Sequence, residues 1–404
     1  MHKKLWNKDF LLMLQGNAVS ALGDILYSVA IGYWVYEKTG SSALMGLMSS
    51  ISMFVTMLVM PFSGNIVDKC DRKIIIVGMD AARGVIMLVM GVLAMADRLS
   101  VPAVLGAAFL ASLCGVFFSP AVSTLMIDII PHNDMVRGQS VSSGVNTAIS
   151  LVGKALSGAL VALLGVPLII LLNGISYLIS AVTELFITVP KTVHQGEMVT
   201  VKGVFRDFSD AVHIIFHDRF LKLFVPCALL VNLLGAGPVT LMLPLVLEKG
   251  FTVDMYGYLM SVQTAASLLC VVLLGIVKLT PKVRYWAMTV GFCTFGVFSV
   301  GAYLSVSYAA MAVLLFLTCF ANMLGNGIFN ASLMLALPEE KRGGILGFIS
   351  AASTGGSAIS AVIYGILCDA FSIVLVFAAG SVLAFLPMAY LCVHKDTREF
   401  VLEH

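Results

Sequence analysis

Gly64-Asn65-Ile66-Val67-Asp68-Lys69-Cys70-Asp71-Arg72-Lys73 joins two long apolar runs and is the densest charge cluster in the first 120 residues. The leading glycine suits a tight turn. Asp68 follows four residues on, and Asp71, Arg72 and Lys73 close the stretch. Many such connectors are only solvated loops. This one gains meaning from its flanks, because a polar turn between two apolar runs of about 20 residues is what a chain needs to cross a bilayer and return.

The chain has 404 residues, 59% hydrophobic and 11% charged, with a mean hydropathy of +1.00. A soluble domain carries about 25% charge. This chain cannot cover itself in polar surface, so an all-α polytopic membrane protein is expected. Twelve spans fit: 10–36, 42–63, 74–96, 102–127, 139–164, 167–189, 220–247, 255–278, 284–304, 307–336, 343–368 and 370–393. The run from Phe10 to Tyr36 is too long for a signal-peptide core and reads as an uncleaved first span.

The net charge of +2 says little, but its placement does. With the N-terminus inside, 19 of the 24 Lys and Arg residues fall on the inner side and 3 on the outer side (Lys38, Arg98, Lys249). Arg83 and Lys154 fall inside spans. This bias predicts a multi-pass plasma (inner) membrane protein with both termini and the 64–73 stretch cytoplasmic. The eight cysteines show no metal-ligand spacing.

The stretch 190–219 divides the chain into halves, 1–189 and 220–404, each with six spans. The halves repeat. YEKTGSSALMGLMSSI (36–51) aligns with LEKGFTVDMYGYLMSV (247–262), pairing Gly46 with Gly257 and Ser50 with Ser261. Pro131 to Gly138 echoes Pro338 to Gly343. Two parallel, pseudo-twofold-related six-helix bundles follow from this repeat. Within the linker, Val204, Phe205, Phe208, Val212 and Ile215 fall on one side of a possible surface-lying amphipathic helix.

Polar residues inside spans mark candidate sites, because a charge at the bilayer centre costs about 2.5–3.5 kcal/mol on insertion scales. Asp24 stands mid-span, on a stripe with Gly16, Ser20 and Ser28, and Tyr27 lies close by. Lys154 lies on a matching stripe in span 5 with Ser142, Asn146 and Ser150. The two charges sit at similar depths, so an Asp24–Lys154 ion pair is expected if spans 1 and 5 are neighbours. Burial favours a neutral Asp24 and a nearby lysine favours its ionised form. Glu184 lies near the inner end of span 6, within reach of the interface. Asp80 and Arg83 extend the charge of the 64–73 stretch. Span 7 is interrupted at Asn232, Gly235, Gly237 and Pro238. Span 10 also looks broken, carrying Asn322, Asn326 and Asn330 with Gly325 and Gly327 between them. Such helices line transporter cavities or glue helices together. Phe117 and Phe118 add rings from span 4. No P-loop occurs, and His213/His217 lacks a third ligand and a glutamate.

The pattern G-x-x-x-D-[RK]-x-[GD]-R-[RK], met by Gly64, Asp68, Lys69, Asp71, Arg72 and Lys73, resembles the signature of the major facilitator superfamily. YEKTGSSALMG, VDKCDRKIIIVGMDAARG and FFSPAVSTLMIDIIP are similar to its macrolide-efflux and enterobactin-exporter branch. The resemblance implies that Asp68 meets the start of span 11 near Gly343-Gly344 and that Arg72 meets Asp128 at the end of span 4. These contacts would gate the inner face. It also implies a monomeric, proton-coupled antiporter that exports amphipathic small molecules by alternating access. Its partners would be substrate, protons and lipid, with no nucleic acid and no cofactor beyond the proton gradient. A lysophospholipid or siderophore transporter is the alternative within the fold, and a membrane sensor or polytopic enzyme the remote ones. Two departures stand out. Lys154 follows Gly153 where antiporters often place a proline, and span 4 lacks the arginine many proton antiporters carry.

Overall fold

The structure, a computed structural model, describes residues 5–131, 134–188, 212–277, 279–336 and 339–403. Its helices are α1 (Lys8–Thr39), α2 (Ser42–Lys69), α3 (Arg72–Met95), α4 (Val101–Ile129), α5 (Met135–Leu164), α6 (Val166–Glu184) and α7 (Leu221–Thr240). Then follow α8 (Met242–Glu248), α9 (Val253–Ile276), α10 (Pro281–Leu304), α11 (Tyr308–Ala336), α12 (Glu339–Ala370), α13 (Ile373–Val393) and α14 (Lys395–Glu403). Among the described residues, 12 helices are long and apolar enough to cross a membrane. In a bilayer every backbone polar group must be satisfied internally, and helices do this within one segment.

Local chemistry sets several boundaries. Asn7 caps α1 by accepting from the Phe10 N–H at 2.8 Å, and Gly40, at φ 62°, ends it in the left-handed region. Asp71 caps α3 by accepting from the Lys73 N–H at 2.9 Å. Gly165, at φ 75°, is the whole join between α5 and α6, and Pro167 opens the second of these.

The opening stretch differs from its sequence reading. Gly64 makes no turn; α2 continues through it to Lys69, leaving Cys70 and Asp71 to reverse the chain. One helical glycine costs about 1 kcal/mol. Val67, fully buried beside Phe10, Ile76 and Leu125, offsets it. Span 6 also ends early, at Glu184, because Leu185 to Ile187 turn away and the Thr188 N–H donates to Asp9 at 3.0 Å.

The interruption in span 7 is real but displaced. Helix α7 runs through Gly235, Gly237 and Pro238, and breaks at Leu241 (φ −104°, ψ 20°). Pro238 has no N–H for the Leu234 carbonyl. The Tyr364 hydroxyl, from α12, donates to that carbonyl instead. Ser360, one turn earlier on α12, accepts from the Gly237 N–H at 2.9 Å. A Cβ at Gly237 or Gly380 would strike Tyr364, so both glycines make its slot. Span 10, in contrast, is unbroken. Gly325 lies against Phe292 of α10, where it serves close packing.

The chain forms two compact units. Unit 1 comprises Met1–Gly40, Ile51–Val199 and Thr252–Tyr258; unit 2 comprises Ser41–Ser50, Thr200–Phe251 and Leu259–His404. In unit 1, α1 packs on α5 and α6, and α3 packs on α4 and α6. In unit 2, α7 packs on α12 and α13, and α10 packs on α11 and α13. The same four pairings recur in chain order, which is the repeat seen in sequence. Gly46 lies against the Ala361 carbonyl within unit 2, and its sequence counterpart Gly257 lies against the Lys154 carbonyl within unit 1. Val204, Phe205 and Phe208 lie outside the described residues. Ile215 is buried in the unit 2 core with Phe220 and Met288, instead of facing a membrane surface.

Candidate functional site

In unit 1, small residues on α1 let α6 approach closely. A Cβ at Gly16 would meet the Ser180 hydroxyl, and one at Gly23 would meet Asn173 and Ser176. Asp24 is thereby brought to α6. The Tyr177 hydroxyl donates to its Oδ1 at 2.5 Å, and Asn173 Nδ2 donates at 3.5 Å. Among the described residues Asp24 forms no ion pair with Lys154, contrary to expectation. Two polar groups of α6 take the carboxyl, and the charge that acts on it is Arg83. The α5 backbone at Lys154 is engaged locally, its carbonyl accepting from Ser157 at 2.8 Å.

Arg83 is the residue that sequence reading placed wrongly. With Asp80 it does not extend the 64–73 charges; both point into the packed interior of unit 1. Arg83 Nη1 lies 3.6 Å from Asp80 Oδ1, and Asp80 is 0% exposed. The guanidinium stands 5.1 Å from the Phe118 ring centroid and 5.4 Å from that of Tyr177, a cation–π arrangement. A Cβ at Gly115 would strike it, so α4 yields space for the group. The signal that could have found it was present: a second acid and base one turn apart in an apolar helix.

Glu184 does not reach the interface. It is 2% exposed, and Ser180 donates to its Oε1 at 3.2 Å. Asp24, Arg83 and Phe118 line a cavity of about 360 Å³, with Asn17, Ser20, Ser119, Ser123, Gln139, Ser142 and Asn146. The polar stripes of α1 and α5 thus meet in one chamber. Phe117 and Tyr27 are not on its wall. The Tyr27 hydroxyl is buried without a hydrogen-bond partner among the described residues.

Unit 2 holds a smaller, drier cavity of about 170 Å³. Asn232, Asn326 and Asn330 line it, with Ser353 and the rings of Phe224, Phe292 and Phe329. Asn322 lies behind: Asn326 Nδ2 donates to its carbonyl at 3.0 Å and to its Oδ1 at 3.2 Å. Asn232 donates to the Ala228 carbonyl at 2.9 Å and accepts from Ser357 at 3.3 Å.

Of the motif residues, Arg72 is buried and forms an ion pair with Asp128, the side chains being 5% and 15% exposed. Asp71 serves as the α3 cap and Gly64 as a helix residue. The side chains of Asp68 and Lys69, and the surroundings of Gly343-Gly344, fall outside what the structure describes, so the expected contact of Asp68 with the start of span 11 does too.

Matches to the Major Facilitator Superfamily cover residues 13–336 and 227–399. The chain belongs to this superfamily. It is a multi-pass membrane protein of a family of transporters, not of enzymes. The chain is 24% identical over 186 residues to macrolide efflux protein A of Streptococcus pyogenes, covering 46% of each. It is 30% identical over 229 residues to a putative bacilysin exporter of Bacillus amyloliquefaciens, covering 53% of this chain and 52% of that one. The aligned part thus spans about half the length of these relatives. In fold, the transporter is similar to a bacterial homologue of the iron transporter ferroportin in an inward-facing state, with a TM-score of 0.72 and 18% identity over 95% of this chain and 98% of that one.

Proposed function

We propose that this transporter is a secondary active exporter that couples proton entry to the outward movement of amphipathic small molecules by alternating access. One observation carries the reading: Asp24 sits deep in a span, yet opens on a polar cavity of about 360 Å³. A carboxyl there is costly unless it serves transport or is paired, and its direct hydrogen-bond partners, Tyr177 and Asn173, are uncharged. The names of the relatives, a macrolide efflux protein and a bacilysin exporter, support the outward direction. The Lys and Arg bias supports cytoplasmic termini in the plasma membrane. The transporter works as a monomer with no cofactor beyond the proton gradient and no nucleic-acid partner.

The test is uptake into inside-out vesicles with an imposed acid interior, across macrolides, dyes and lysolipids. Accumulation that collapses with a protonophore is expected. Accumulation of nothing, or accumulation indifferent to the gradient, overturns the reading.

A further inference from the structure

We propose that Asp24 holds the positive charge of a cationic substrate and that Asp80, acting through Arg83, sets when that charge is released. This deepens the antiport reading and rests on it for direction. The cavity of unit 1 presents one carboxyl, Asp24, and one guanidinium, Arg83, and the rest of its lining is uncharged. A chamber of hydroxyls and amides with one accessible acid suits a cation that also hydrogen-bonds.

Arg83 already has a counter-ion elsewhere. Asp80 is fully buried, and among the described residues neither of its oxygens has a hydrogen-bond donor within 3.5 Å, although the Ser180 hydroxyl of α6 is close enough to act on it. Its ion-pair partner is Arg83, 3.6 Å away. Arg83 also acts on Asp24, though beyond ion-pair distance. Tyr177 ties the two together, with its hydroxyl on Asp24 and its ring against the guanidinium. The other titratable groups facing Asp80 are Glu184 and Tyr177 on α6, Asp24 on α1 and Cys114 on α4.

The exchange follows from charge. While Asp80 is ionised it keeps the guanidinium, since opposite charges attract strongly where water is scarce. Asp24 is then open to a substrate cation. When a proton enters, an O–H bond forms on the Asp80 carboxylate and its charge is lost. Arginine stays protonated, so it loses its counter-ion and turns to Asp24, the carboxyl with which it shares the cavity. Arg83 and the substrate now compete for one acid. One proton in displaces one cation.

The probe is ethidium, whose charge does not change with pH, titrated into the purified full-length protein in nanodiscs. In mildly acidic buffer the wild type is expected to bind about tenfold more weakly than in mildly alkaline buffer, an ordinary size for coupling between sites. Asp24→Asn is expected to lose binding in both. Asp80→Asn is expected to bind weakly in both, and adding Arg83→Gln to it restores tight binding in both. A packing role for Asp80 predicts no such rescue. Arg83→Gln alone binds tightly and without pH dependence, which keeps the test open if Asp80→Asn fails to fold. The proposal is overturned if the wild type binds no ethidium, if Asp80→Asn or Arg83→Gln keeps the pH dependence, or if the double variant binds no better than Asp80→Asn. Vesicles that accumulate nothing would sink the antiport reading and leave this binding cycle intact. A failed cycle in protein that transports sinks only this proposal.

Discussion

Units 1 and 2 share a packing plan and differ in what they bury. Unit 1 encloses acids and a base around a polar chamber; unit 2 encloses amides and phenyl rings around a drier one. The difference shows that the helix pairings do not dictate the chemistry. Small residues bring α1 and α6 together, and the side chains one turn away are then free to vary. The two sets also differ in how they are satisfied. The unit 2 amides are served largely within their own helices, as Asn326 is by Asn322. In unit 1 Asp24 depends on Tyr177 and Asn173 of another helix and Asp80 on the charge of Arg83, while Glu184 is served by Ser180 of its own helix.

That contrast is open to attack in order of expected effect. Asp24→Asn should reduce gradient-driven accumulation at least about tenfold, with the protein still folded, because no other carboxyl lines that cavity. Transport at the wild-type rate would erase the functional distinction between the units. Arg72→Ala removes a buried guanidinium from its ion pair with the half-buried Asp128 and should cost about 3 kcal/mol of stability, read as a lowered melting temperature in detergent. Partial restoration by a second change, Asp128→Ala, would sharpen the point that the lost ion pair is the cost. In unit 2, Tyr364→Phe removes the donor to the Leu234 carbonyl and should cost about 1 kcal/mol, seen in the same melt. Asn326→Leu should be nearly neutral for stability, within about 0.5 kcal/mol, and alter only which substrates are accumulated. A large loss of stability there would show that unit 2 is held by its amides after all.

Much of the fold was legible because the bilayer imposes simple rules. Twelve apolar runs and a repeated YEKTG/LEKGF register need no tertiary knowledge. Arg72 with Asp128 was legible only through the family resemblance, which pairs the arginine of the 64–73 stretch with an acid ending span 4. What was not legible depended on rotation about helix axes. Asp24 and Lys154 share a depth, but depth does not say which face turns to which neighbour; the faces were set by Gly16 and Gly23 against α6. Asp80 and Arg83 were assigned to the nearby 64–73 charges because sequence distance was the available measure. Gly64 was read as a turn because a lone glycine carries no record of the valine three residues on that holds its helix together.

Pro238 deserts a carbonyl, and a tyrosine on another helix adopts it. A bend completed in this way is conditional, since it keeps its hydrogen bond only while α12 holds its height beside α7. Any sliding of α12 by one turn would carry off the hydroxyl together with the Ser360 oxygen that serves Gly237. The height of α12 beside α7 is thus fixed at two points by hydrogen bonds that only side chains of α12 supply.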